Sequence, residues 1–423
     1  MISIAQKRKG MNHAILSACW GVPAQLLVKE SSVFILFAMS IGAGEMLSIF
    51  TTSVMDLMLC LTMLPFAYLA QKTGSRKTAV LSTATAMASM LLCAVSPWFG
   101  GAAKTLMLIG LLLYATSLSA YASAWFPLLN GIVPENERGR FFGKLRVSWQ
   151  STSAVFLLLS GLFVGKNAST GKLQLIVAVA ALATIGRMWH LSRIPQEKTG
   201  RPAPFIRMLT DAIGNGPLVA FGLYLFLLYA SASSTLPVAF LMAKKHLMLP
   251  DNIVVLLSVV AFAGTITGFF AAGMFVDKPG VKPVFLAAHF GFAAVNLAML
   301  FVNKVPAFSI PLMSMLLFFQ GFLTASASIA VSSEMLALAP ANNKPISIAI
   351  CFSLYSAGVG FSRMLSSFVI GSGMLSESWT LFGMNMSRYD TMFLGYGIAV
   401  IMSCSALVLV PALTRGAKRL PSV

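Results

Sequence analysis

Residues 47–71 hold one charged side chain, Asp56, in an otherwise apolar run, and eleven further stretches of similar length hold at most two each. They fall at 12–28 (with an apolar tail at 33–42), 78–97, 105–128, 147–165, 173–193, 218–242, 253–276, 284–302, 309–332, 346–372 and 391–412. A helix needs roughly 20 apolar residues to cross the ~30 Å hydrocarbon core of a bilayer. Twelve such runs leave few alternatives to a polytopic helical membrane protein. A transmembrane barrel is excluded because the runs are continuously apolar and lack ten-residue alternation.

Composition agrees. Hydrophobic residues make up 57% of the 423-residue chain and charged ones 10%, and mean hydropathy is +0.84, more apolar surface than a soluble core could hide. The net charge of +18 would suggest nucleic acid in a soluble protein. Here its distribution points instead to topology and to anionic lipid head groups, and no nucleic-acid partner is expected. With the amino terminus inside, 21 Lys and Arg fall on inner segments and eight on outer ones, leaving Arg363 within a span. The positive-inside rule then predicts both termini to be cytoplasmic in an integral membrane protein, expected in a bacterial inner (plasma) membrane. The basic start and apolar run of residues 1–28 imitate a signal peptide, but eleven later spans make it a retained first helix. The five cysteines stand singly in apolar segments without a C-x-x-C, so neither a disulfide nor a metal is expected.

The polar, proline-punctuated segment between the sixth and seventh spans divides the chain into a six-helix bundle over 1–193, a cytoplasmic linker over 194–216 and a second six-helix bundle over 217–423. The halves are related in sequence. Gly74 and Gly280, Lys72 and Lys278, Arg76 and Lys282, Pro134 and Pro340, and Asn136 and Asn342 are each 206 residues apart. Two separate loops that keep one offset identify an internal six-helix repeat.

The loop at 67–77 and its counterpart at 273–282 carry a resemblance to the major facilitator superfamily, whose signature between its second and third helices is G-x-L-A-D-R-x-G-R-K. The first copy keeps Leu69, Ala70, Gly74, Arg76 and Lys77 but has Ala67, Gln71 and Lys72 in place of the first glycine, the acid and the first arginine. The second is fuller, with Gly273, Asp277, Lys278, Gly280 and Lys282. The resemblance spans the chain and implies twelve helices in two pseudo-symmetric six-helix bundles. It also implies that these loops form a conformational latch, released as the halves rock. With Gln71 in place of the acid, the latch would rest on Asp277, facing the positive end of a neighbouring helix. Plain inside-positive loop charge is the alternative reading.

Charge within a span is costly and marks candidate machinery. At 1.5 Å per residue Asp56 lies on the order of 24 Å, and Arg363 on the order of 27 Å, from the inner surface. In the superfamily their helices, the second and eleventh, face each other across the two halves, which leads to the expectation that the two residues pair when the outer side is closed. Each being satisfied within its own half is equally open. Glu334 and Arg146 are a candidate inner gate pair. Arg146 also stands in "FGKLRVSWQ", which resembles the G-x-x-R stretch of lactose-permease-type sugar symporters, where the arginine contacts sugar. Trp149 and Gln150 lie close by, but the acid those symporters place on the fourth helix is missing. Trp20, Gln25, Tyr229, Gln320 and Tyr355 are further candidates to line a central solute cavity, each with helix packing as its alternative. Lys29 and Glu30 are expected to mark the outer end of the first span or to pair with each other, and His289 to pack or relay protons.

No phosphate-cradling G-x-x-x-x-G-K-[ST] loop and no hydrolase motif is present, which argues against an ATP-driven pump or an enzyme. No cofactor is expected. The glycine-proline motif of the superfamily's drug antiporters is absent from the fifth span. The reading is a monomeric secondary transporter that moves a small organic solute, with proton-coupled symport the leading mode and sodium the other coupling ion. Transport of lipid, lysolipid or another amphipathic compound, or a non-transporting receptor role, remains the alternative.

Overall fold

The computed structural model describes residues 3–134, 137–196, 204–276, 281–304, 306–340 and 343–409. The first half comprises α1 (Ile4–Lys29), α2 (Val33–Ser40), α3 (Glu45–Thr73), α4 (Ser75–Val95), α5 (Ala103–Asn130), α6 (Arg138–Val164) and α7 (Thr170–Ser192). A short helix α8 (Phe205–Ile213) follows, and then α9 (Gly216–Ala232), α10 (Thr235–Lys245), α11 (Asp251–Val276), α12 (Val281–Met299), α13 (Ser309–Leu338) and α14 (Lys344–Gly371). Strands β1 (Ser378–Leu381) and β2 (Met384–Ser387), then α15 (Arg388–Cys404) and α16 (Ala406–Leu409), complete the second half. With α1–α2, α9–α10 and α15–α16 each counted as one rod, the described residues form twelve long helical rods besides α8.

The repeat read from loop residues is stronger in the helices. α11, α12, α13 and α14 begin 206 residues after α3, α4, α5 and α6 respectively. The offset fails after α14, where the hairpin β1–β2 displaces α15 by twelve residues from the position that α7 would set. Leu381 pairs with Met384 across Phe382 and Gly383, both at positive φ (47° and 77°), the backbone of a tight two-residue hairpin turn. The hairpin marks one end of the bundle, called here the hairpin end; the other is the amino end.

Both halves begin with a broken helix. α1 and α2 are bent by 57° at residues 30–32, and α9 passes to α10 at Ser233 and Ser234. A break inside a bilayer frees backbone groups that need partners. Ser31 Oγ donates to Leu27 O at 2.8 Å, and Ser32 reaches the other half: its N donates to Ser258 Oγ at 3.0 Å and its Oγ to Val254 O at 3.0 Å. Ser234 and Ser362 hydroxyls meet at 2.8 Å at the second break.

Glycines set the close helix crossings. A Cβ on Gly264 of α11 would lie 1.9 Å from Phe318 O of α13, and one on Gly321 would lie 2.0 Å from Ala261 O, so these backbones touch where no side chain fits. The linker, expected as a polar tether, contains α8, whose Met208 and Ala212 are buried with Met63 and Ala67 of α3 and Ile346 of α14.

Candidate functional site

The two helix breaks converge on one charge cluster between the halves. Lys29, the last residue of α1, puts Nζ 2.8 Å from Asp56 Oδ1 on α3. Arg363 of α14 comes from the other half, with Nη1 3.9 Å from Asp56 Oδ2. The Asp56 side chain is fully buried and that of Arg363 is 5% exposed. Arg363 takes three backbone acceptors: Nη1 donates to Lys29 O at 2.8 Å and Thr52 O at 2.9 Å, and Nε to Ser233 O at 3.3 Å. Lys29 and Ser233 sit at the carboxyl ends of two half-helices, where carbonyls lack intrahelical donors and the dipole is negative. The breaks thus build a cation-binding nest, and the guanidinium fills it. Lys29 and Glu30 were expected to mark the end of the first span or to pair with each other, and Lys29 does end α1. It is turned instead to Asp56, because adjacent residues on a helix point about 100° apart and only the Lys29 side faces α3.

Beside this cluster is a cavity of about 50 Å³ whose lining includes Lys29, Glu30, Tyr229, Gln320, Tyr355 and Arg363. Tyr229 and Tyr355 meet edge to face at 4.4 Å, and Lys29 Nζ stands 5.8 Å from the Tyr355 ring centre. Gln320 donates to Ala232 O at 3.4 Å and leaves its buried Oε1 without a partner, as are the hydroxyls of Tyr229 and one oxygen of Asp56. That volume holds a few waters or an ion, but no organic solute.

Space for a solute lies nearer the amino end, in a cavity of about 490 Å³ between α5 and α6 of one half and α11, α13 and α14 of the other. Arg146 enters it, donating through Nη2 to Ser332 Oγ at 3.0 Å with its guanidinium 5.4 Å from the Phe269 ring centre. The expected gate partner, Glu334, forms no ion pair with Arg146. Two residues along a helix turn about 200°, so α13 cannot present Ser332 and Glu334 to the same neighbour. Trp149 lies 6.2 Å from Phe269 at the same interface. Gln150 does not share the cavity; it is fully buried with both amide atoms unpartnered.

Two of the expected cavity residues belong elsewhere. Trp20, 49% exposed, packs over Gly186 of α7 and lines none of these cavities, because α1 turns that face to a helix of its own half. Gln25 turns its carboxamide oxygen to Arg187, 2.6 Å from Nη1 and 3.2 Å from Nη2. Arg187 is 1% exposed, lies 4.4 Å from the Tyr121 ring centre and donates to Ser17 O at 3.3 Å. A Cβ at Gly21 would fall 1.7 Å from its Nε. Arg187 is a functional candidate that the sequence reading missed; the signal for it is its place inside the apolar run 173–193. His289 is buried and Nδ1-bonded to Phe285 O at 2.7 Å.

Of the latch residues, Gly74 has φ 98° between α3 and α4, and Arg76 N donates to Gln196 Oε1 at 2.9 Å. Lys77 lines a groove on the outer face of α3, α4 and α5, Gly273 lies within α11, and Lys282 is exposed on α12. Asp277, Lys278 and Gly280 lie outside the described residues.

At the hairpin end further contacts join the halves. Arg388 Nη2 reaches Glu45 Oε1 at 2.8 Å, Ser367 Oγ donates to Met46 O at 2.5 Å, and Ala168 N donates to Asp251 Oδ2 at 2.8 Å. Glu45 and Asp251, 206 residues apart, each place a carboxylate in the first turn of a helix, where the dipole favours it.

No family model and no curated protein matches the sequence. Solved structures do match the whole fold. A D-xylose-proton symporter superposes with a TM-score of 0.72 at 14% identity, covering 96% of this chain and 98% of its own. The nucleoside transporter NupG gives 0.66 at 12% identity, with 96% and 99% covered. The human organic anion transporter MFSD10 gives 0.66 at 13%, with 95% and 99% covered. The chain therefore has the major facilitator fold: an all-α polytopic membrane protein of twelve transmembrane helices in two pseudo-symmetric six-helix bundles.

Proposed function

We propose that the chain is a secondary transporter that carries a small organic solute across the membrane by alternating access. The observation that carries the reading is the placement of its interior charges. The Lys29, Asp56 and Arg363 cluster closes the interface toward the hairpin end, while a solute-sized cavity with Arg146 in its wall lies toward the amino end. That is the arrangement of a carrier open toward one side. The likeness to structures titled as symporters and transporters supports the same class.

A gradient supplies the energy in this reading. Proton coupling is preferred because two carboxylates meet the same cations between the halves: Asp56, paired with Lys29 and Arg363, and Glu30, which lines the ion-sized cavity together with those two cations. Protonating Asp56 would release Lys29 and Arg363 and loosen the hairpin end. The 21 inner against eight outer basic residues support an amino end facing the cytoplasm, with both termini there. Uptake of labelled sugars, nucleosides, carboxylates and amphiphiles into proteoliposomes, with and without an imposed pH gradient, tests the reading. No gradient-responsive uptake of any class, by protein that still binds ligand, would leave a receptor in place of a carrier.

A further inference from the structure

The cavity at Arg146 breaks the internal symmetry of the fold. Because α3 corresponds to α11 and α6 to α14, the seam between α3 and α14 and the seam between α6 and α11 are repeat equivalents. At the first seam Met63 and Ala67 of α3 pack against Ile346, Ala349 and Ile350 of α14, all of them buried. The residues 206 positions from Met63 and Ala349 are Phe269 and Gly143. There the second seam is open. Both line the cavity of about 490 Å³, and a Cβ on Gly143 would meet nothing within 4 Å.

The same pair of helices is shut toward the hairpin end, where Asn252 N donates to Gly165 O at 3.1 Å and a Cβ on Gly161 would lie 3.3 Å from Leu256. α6 and α11 therefore splay toward the amino end while α3 and α14 stay closed. The rim of the resulting slit is apolar: Phe270 on α11 is 59% exposed and Leu336 on α13 is 48% exposed. Such a rim suits acyl chains better than water. Arg140 and Lys144, both exposed, lie on α6 beside this opening, at the level where anionic head groups are held.

Inside, Arg146 is the one charged residue in the lining among the described residues, with Ser332 and Ser333 as the side-chain hydroxyls; the rest is largely aromatic and aliphatic, including Phe126, Phe142 and Phe269. A sugar would leave most of its hydroxyls facing apolar side chains, each stripped of water without a hydrogen bond in return. A cation would be repelled by the guanidinium. We infer that this cavity takes a single-tailed amphiphile with an anionic head, which enters from the lipid through the slit between α6 and α11. Its carboxylate or phosphate is held by Arg146 and Ser332 and its tail lies along Phe142, Phe269 and Phe270. The volume lies within the range of ligand sites that bury most of a drug-sized molecule. The inference deepens the carrier reading by naming the class of cargo, and it is tested by binding alone.

The full chain is placed in nanodiscs of zwitterionic phosphatidylcholine and titrated with a dibrominated stearate, which quenches tryptophan on contact. Trp149, beside Phe269, is the reporter, and Trp149→Phe isolates its share of the signal. Saturable quenching that is lost in Trp149→Phe is expected, weakened roughly tenfold or more in Arg146→Gln, as for loss of a charge-assisted hydrogen bond. Gly143→Leu, placed where there is open space, should fold and block binding. Dodecyl phosphate should compete; dodecyltrimethylammonium and tail-less benzoate should not. Quenching indifferent to Arg146→Gln, or equal competition by the cationic amphiphile, overturns the inference in favour of a non-selective apolar crevice. Uptake of a hydrophilic solute that the brominated acid does not inhibit would overturn it too, with the carrier reading intact. Arg146-dependent binding without any uptake would instead sink the carrier reading and leave this site standing.

Discussion

Arg363 donates a hydrogen bond across the interface to the carbonyl of Lys29, 2.8 Å away, while Lys29 holds Asp56 through its ammonium group. One half's helix end is thus bonded to a cation of the other half, and both cations share one carboxylate. Removal of that carboxylate leaves the buried Arg363 beside the partly exposed ammonium of Lys29. Breaking a buried pair from one side costs about 3–5 kcal/mol, enough to shift a balanced two-state equilibrium by roughly two to nearly four orders of magnitude. Asp56→Ala is therefore expected to open the hairpin end, read as a rise in labelling of Met46→Cys by a water-soluble maleimide. Unchanged labelling would remove the cluster from the closing mechanism.

The charge-exchanged pair Asp56→Arg with Arg363→Asp tests directionality. Each single variant places like charges together and should lose transport. The double variant restores opposite charge but not the carbonyl nest, so partial recovery is expected. Absence of any recovery would show that the two groups act separately.

Not every ion pair at this interface should matter equally. Glu45 and Arg388 are about one-fifth exposed, in contrast to the enclosed Asp56. Partial exposure of both partners lets solvent screen this pair toward the surface range of about 0–1 kcal/mol, a screening that the enclosed Asp56 lacks. Glu45→Gln should therefore change transport rate by less than about fivefold, well below the effect of Asp56→Asn in the same assay. Equal losses in the two variants would show that burial does not set their weight.

What the chain reveals before folding depends on the range of the interaction. The apolar spans and the 206-residue offset are local or repeated, and both were legible: the spans read as starting at 47 and 253 are the helices that start at 45 and 251. Asp56 and Arg363 stood out because charge in an apolar run is rare. Their third partner did not, because Lys29 reaches them only where α1 stops and bends. Glu334 misled for the opposite reason: proximity in sequence to the right depth said nothing about the face of α13. The hairpin at 378–387 escaped notice because two four-residue strands leave almost no periodic signal. Gln25 was legible as a polar residue needing partners, but its partner Arg187 lies 162 residues away.

Gly21 and Arg187 should behave as one unit. Gly21→Ala puts a methyl group where the guanidinium lies, and overpacking of this kind costs about 1–3 kcal/mol. Gly21→Ala and Arg187→Leu should each lower the melting temperature in detergent, and the double variant should lose less than the sum. Strict additivity would show that the two sites do not share the strain.

Packing glycines separate by environment as well. Gly264→Ala drives a methyl against Phe318 O and should destabilise the second half by about 1–3 kcal/mol, whereas Gly143→Ala faces open space and should be close to neutral. Thermal unfolding of the two variants side by side checks this. The reverse order would contradict the helix contacts described for α11 and α13.

The central claim is that the two ends open in alternation. Double electron-electron resonance on a chain freed of its five native cysteines measures it, with one spin-label pair at Gly44→Cys and Gly373→Cys and another at Gly143→Cys and Ser333→Cys. The account predicts two populations at each pair, such that conditions or ligands that lengthen the hairpin-end distance shorten the amino-end one. A single fixed distance at both ends, or distances that lengthen together, would contradict it.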